Sequence, residues 1–299
     1  MAKVWKNVRL KTLTVVRVIL GQRKPGIAVF ASTVHRPPST VYPPPSMFKH
    51  TFFSTLLLAS LFSNLDAQVS LTFSQDTTSK PAAVSAAPSH AGLDSLLQKY
   101  VSETGKVNYK GLKTSKPALD AYCQVLSDNP VQDAWTNEEK MAYWINAYNA
   151  FTLQLILDNY PTKSILSLDG GKTWDVKRIT LDDKKYSLNQ IENEILRPQF
   201  KDARIHFAIN CAAKSCPPLW NKAYTAENLY DTLEARAKAF INNSQYNTIT
   251  PSQAQVSKIF EWYADDFGDL KNYLNIFLKT PLKNNATVTF REYNWGLNE

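Results

Sequence analysis

The stretch 204–218, RIHFAINCAAKSCPP, sets His206, Cys211 and Cys216 at five-residue intervals. Imidazole and thiol are the side chains most readily tuned to react near neutral pH. His206 is the single histidine of residues 91–299. A thiol nucleophile needs a base, and the base needs a group that orients it. Cys216, with Cys211 as second choice, would attack an amide or ester carbonyl. His206 would take the proton, and one of Glu192, Asp265, Asp266, Asn146 or Asn149, with Glu192 or Asn149 preferred, would hold the ring. On a straight strand, positions 206 and 211 face opposite sides because their separation is odd. A turn at 210–214 is therefore required. Ser215-Cys216-Pro217 suits one, since a residue before proline avoids helical backbone. The competing reading makes Cys211 and Cys216 a small-loop disulfide, or two buried thiols. An exported chain could close the bridge, while the odd count of three cysteines argues against a disulfide scaffold. Cys123 is then left over, and on its helical pattern it reads as a small core residue.

Zinc takes imidazole, thiolate and carboxylate, so His206, Cys211, Cys216 and Glu192 invite a metal reading. Their spacing matches no zinc signature, and neither metal nor cofactor is expected. Trp262 and Tyr263 stand beside Asp265 and Asp266, a mixture found in sugar-binding and glycoside-cleaving sites. Neighbours on a helix point about 100° apart, so these two acids do not face each other. Capping or ion pairing is the simpler role. Asn146 and Asn149 share one helix face and either tie loops to it or line a pocket. Arg197 and Arg204 either pair with Glu192, Glu194 or Asp202 or receive an anionic group. A second function class follows. It is a non-catalytic module whose aromatic and asparagine-lined groove binds a peptide or glycan, with Asn146, Arg197, Arg204, Trp262 and Asp266 as contacts.

The elements that must carry these groups are mostly helical at first. Residues 93–101 and 117–126 have helical apolar spacing. Thr136, with Glu138 and Glu139 close behind, starts a long helix that Pro161 stops. That helix has apolar residues on more than one face and reads as central and buried. Residues 176–181 and 185–188 flank Asp182-Asp183 as a hairpin. Ser187 caps a helix over 188–197 that ends before Pro198. Residues 204–209 read as a strand buried on both faces. A helix over 225–242 follows, then an extended 248–256, helices over 258–267 and 270–278, and a strand over 287–293. This is an α+β domain with a central buried helix and a small, mostly antiparallel sheet. Papain- and transglutaminase-like enzymes share that layout at the level of architecture only.

The front of the chain is different. Residues 47–67, MFKHTFFSTLLLASLFSNLDA, have the basic start, short apolar run and small final residue of a secretory signal peptide. Residues 1–46 are basic, acid-free and proline-rich near their end, and read as an upstream extension ahead of a start at Met47, with a targeting presequence of another kind as the alternative. Residues 68–90 read as a flexible linker. Residues 1–67 hold nine of the 34 Lys and Arg but one of the 26 Asp and Glu. The rest of the chain carries 25 of each, so its charge cancels. The basic balance of the whole gives no support for nucleic-acid binding. No segment after the signal peptide qualifies as a membrane span. The expected location is secreted or periplasmic.

Six segments together resemble the family known as domain of unknown function 547. They are YWINAYNAF at 143–151, YPTKSI at 160–165, SLNQIENEILR at 187–197, ARIHFAINCAAKSCPPL at 203–219, FEWYADDFG at 260–268 and YNWGLN at 293–298. The resemblance extends over nearly all of 91–299 and implies no established activity. The family position of Asn193 is commonly histidine, following the glutamate at Glu192. Asparagine is a poor metal ligand and no base, so any chemistry resting on that imidazole is expected to be weak or absent here.

Overall fold

The computed structural model describes residues 86–299, which belong to one compact unit. The expected extension (1–46), signal peptide (47–67) and most of the linker (68–90) lie outside the described residues. The linker's last residue, His90, is buried against Tyr122. Among the described residues, no helix is long and apolar enough to cross a membrane.

Four helices lead the chain: α1 (Ala91–Tyr100), α2 (Tyr109–Lys113), α3 (Lys116–Asp128) and α4 (Asn137–Asp158). Helix α4 starts where the sequence places it. The Thr136 hydroxyl accepts from the Glu139 N–H, and the Glu139 carboxylate accepts from the Thr136 N–H. Reciprocal capping of this kind satisfies two N–H groups that a helix start leaves open. From Met141 to Leu157, α4 is buried on almost every side, Asn146 and Asn149 included. In a water-exposed domain, a helix without a polar face is stable only when buried at the centre.

The expected hairpin forms as β1 (Ile179–Leu181) and β2 (Lys184–Tyr186), antiparallel around Asp182-Asp183. Asp182 takes a positive φ of 55°, which Asp tolerates better than most residues. A second sheet joins β3 (Thr248–Thr250) antiparallel to β4 (Gln253–Val256). The last strand, β5 (Thr287–Phe290), runs parallel to β4. Helices α7 (Leu229–Ile241), α8 (Ile259–Trp262), α9 (Ala264–Phe267) and α10 (Leu270–Phe277) pack with this sheet on an aromatic core around Phe207, Phe240, Phe260 and Phe267. The fold is α+β.

Four expectations are corrected. The helix expected over 225–242 begins only at Leu229. The one expected over 258–267 is broken at Tyr263 into α8 and α9. The strand expected over 204–209 is a 3-10 helix, Ala203–Phe207. Asp202 caps it by accepting the Arg204 N–H at 2.9 Å. Ile205, His206 and Phe207 are all buried, so the apolar run carries no period that separates strand from helix. The helix expected to stop before Pro198 continues to Phe200. It passes from α5 (Leu188–Gln190) through a π-helical stretch, Ile191–Leu196, into α6 (Arg197–Phe200). The Arg197 N–H bonds to the Glu192 carbonyl, five residues back. Pro198 enters at the start of α6, where a missing N–H costs least.

Candidate functional site

Asp266, on α9, gathers the charged groups. Arg197 donates from Nε to its Oδ2 at 2.6 Å and from Nη2 to its Oδ1 at 2.9 Å, a two-pronged bond that fits the guanidinium fork. His206 Nε2 lies 2.7 Å from the same Oδ2. An ionised carboxylate has no proton to give, so the imidazole donates. Partial burial alone would raise the Asp266 pKa. The hydrogen bonds and charges of His206 and Arg197 outweigh it and hold the carboxyl well below the usual range. Arg197 also donates to Asn193 at 2.7 Å, and Asn193 donates to Asn189. The asparagine at 193 thus serves as a strut for Arg197.

His206 is walled in. Tyr263 stacks on its ring at 3.9 Å between centroids, and Phe267 packs at 5.4 Å. Its side chain is 1 % exposed. Behind Tyr263 lies Glu192, buried, which accepts the Tyr263 O–H at 2.5 Å. Burial first, and the neighbouring Glu192 charge second, push the Tyr263 and Tyr148 pKa values far up. Both phenols stay protonated, and that of Tyr263 donates to the carboxylate. The Trp174 indole N–H lies near the Tyr148 hydroxyl and influences its ionisation, yet finds no partner at hydrogen-bonding geometry. The π-helical stretch positions both Glu192 and Asn193, and π turns are frequent at functional sites.

The sulfurs are elsewhere. Cys211 and Cys216 form a disulfide with Cα atoms 6.3 Å apart. Neither sulfur is a thiol in this state, and no hydrogen bond joins His206 to either. The imidazole–thiol pair expected from the spacing is therefore not assembled. The turn it required does exist, with Ala212 at φ 59°, but the ring is turned to Asp266 instead. The Tyr293 hydroxyl lies 3.1 Å from Cys216 Sγ and 3.3 Å from Cys211 Sγ. Cys123 is a buried free cysteine whose pKa burial pushes up to about 12, as befits a core residue.

Asn146 and Asn149 spend their amides on backbone. Asn146 donates to the Tyr224 carbonyl and accepts the Tyr224 N–H. Asn149 donates to the Ala208 carbonyl and accepts the Asn210 N–H. They tie two loops to α4, one of them the loop that leads into Cys211. Arg204 pairs with Asp202 at 2.7 Å and Glu234 at 3.3 Å. Among the described residues, no group of three His, Cys, Asp or Glu is placed to hold a metal ion.

Trp262 belongs to an aromatic ledge. It stacks on Trp295 at 5.7 Å with 24° between planes and meets Tyr293 at 4.7 Å. Trp174 closes on Trp295 edge-on. Trp262, Tyr293 and Trp295 each keep part of their surface exposed. Sequence reasoning named Trp262 but missed Tyr148, Trp174, Tyr293 and Trp295 as parts of this region. The signal was present in YNWGLN, a C-terminal segment too apolar to be left in water.

Residues 132–241 match the family described as Protein of unknown function, DUF547. The match covers the central helix, the π-helical stretch, His206 and both bridged cysteines, and stops short of Trp262, Asp266 and YNWGLN. No curated protein and no solved structure matches the chain.

Proposed function

We propose that this chain, which belongs to the DUF547 family, is an exported, non-catalytic module that binds a glycan on the ledge formed by Trp262, Trp295 and Tyr293. The stacked, partly exposed Trp262–Trp295 pair carries the reading. Tryptophan offers a broad apolar face with low conformational cost, which suits the C–H face of a sugar ring. Asp266 follows Trp262 by four residues across the break at Tyr263, and Arg197, which pairs with Asp266, covers the Tyr263 ring at 5.1 Å. Half-buried charged groups of this kind supply the oriented donors and acceptors that sugar hydroxyls need. The thiol-dependent hydrolase or transferase is the weaker reading. Its nucleophile is tied up as a disulfide and its base is held by Asp266 and walled in by rings.

The test is calorimetric titration of the folded domain with short β-linked glucose and N-acetylglucosamine oligosaccharides, followed also by tryptophan emission. Binding is expected for at least one class. Trp262→Ala and Trp295→Ala should each weaken it by about 2 kcal/mol, the scale of a buried aromatic anchor. Silence across the panel, or binding that survives both substitutions, removes the glycan reading.

A further inference from the structure

The Cys211–Cys216 bridge is built unevenly. Cys211 is partly exposed, whereas Cys216 is 4 % exposed. Cys216 Sγ lies 3.0 Å from the Cys211 N–H and 3.1 Å from the Tyr293 hydroxyl, and both donate to it. Cys211 Sγ has the same hydroxyl at 3.3 Å and no backbone donor. In disulfide exchange the more accessible sulfur is attacked, and the sulfur that best carries negative charge leaves. Both criteria select the same assignment here. We propose that this bridge is a thiol-exchange site, at which a small external thiol attacks Cys211 and Cys216 departs as the stabilised thiolate.

The step balances. The external thiolate forms a bond to Cys211 Sγ as the Sγ–Sγ bond breaks, and the electron pair of that bond goes to Cys216 Sγ. A second external thiolate then attacks its own partner's sulfur in the mixed disulfide. This frees Cys211 as a thiolate and yields the oxidised external disulfide. Two thiols supply the two electrons. Tyr293 stays protonated throughout, because burial raises its pKa, and so remains able to donate to the departing sulfur. The inference needs no glycan and stands if the ledge binds nothing.

The experiment has two readouts. Wild-type protein is exposed to limiting 2-mercaptoethanol, acid-quenched, alkylated and peptide-mapped. The adduct is expected on Cys211; an adduct on Cys216, or equal amounts on both, overturns the assignment. Fully reduced protein is then labelled with iodoacetamide across pH. Cys216 should label with the lower apparent pKa of the two, below the value of about 8.5 for free cysteine. Tyr293→Phe should slow the first exchange step by about tenfold, the scale of one hydrogen bond to a charged atom. Where that variant does not fold, the wild-type map and labelling order decide the matter. A Cys216 thiol that titrates above Cys211 overturns the proposal.

Discussion

Asp266 holds two basic side chains that the sequence separates from it by 60 and 69 positions. Asp266→Asn keeps the shape but removes the charge and turns one acceptor into a donor aimed at Arg197 or His206. The loss is expected to be about 2 kcal/mol, within the range for hydrogen bonds to charged groups, and urea denaturation at neutral pH reads it. The pH dependence has a definite sign. The folded pKa is depressed, so the stabilisation is complete above the unfolded carboxyl value near about 4 and fades as pH falls toward the lower folded value. The variant should lose that part of the acid limb; an unchanged denaturation midpoint and acid limb would show the cluster to be energetically idle. Residue type announced Arg197, Asp266, His206 and Glu192 as worth attention. Asp266 stood among five candidates to hold His206, but spacing did not single it out, and the Arg197–Asp266 pair was not legible because local sequence offers Arg197 nearer acids such as Glu194.

At the scale of elements, strong local chemistry was readable. The capping box of α4 and the Asp-Asp hairpin follow from side-chain hydrogen bonding within a few residues. The 3-10 helix at 203–207 and the π stretch at 191–196 were not readable, since each depends on burial and on a hydrogen-bond register that no apolar period encodes. The loop 211–216 and the tail illustrate a further dependence. The Lys214 N–H bonds to the Gly296 carbonyl, Ser215 N–H to Asn294, and Asn298 N–H to Ala212. The disulfide closes the loop that these bonds use, and Trp295 lies on the strip they hold. Reducing the bridge should therefore speed amide exchange at Lys214, Ser215 and Asn298, while the buried middle of α4 keeps its protection. Hydrogen exchange with mass detection, with and without reductant, checks this. If the three amides exchange at the same rate in both states, the bonds hold the tail without help from the bridge.

At the largest scale, the described fold is fastened at its N-terminal edge by His90. Its Nδ1 lies 2.8 Å from the Tyr122 hydroxyl, which pins the start of α1 to α3. Sequence reading placed His90 in a flexible linker, because a lone histidine after Pro88-Ser89 shows no period and its partner is 32 residues away. Burial pushes its pKa from 6.5 down to about 4. In the folded protein the ring resists protonation, whereas in the unfolded chain it accepts a proton as soon as pH falls below 6.5. Stability is therefore complete above pH 6.5, declines between 6.5 and about 4, and gains no further loss from this residue below that. The shift corresponds to a decline on the order of 3 kcal/mol, in a window higher than the one Asp266 governs. The two contributions separate along the pH axis. His90→Gln keeps a polar partner for Tyr122 without a titrating ring, and its unfolding free energy should stay level from pH 6.5 to 5 while the wild type falls. Parallel slopes for the two proteins over that interval would mean that His90 is solvated in solution and that the fold begins at α1 without it.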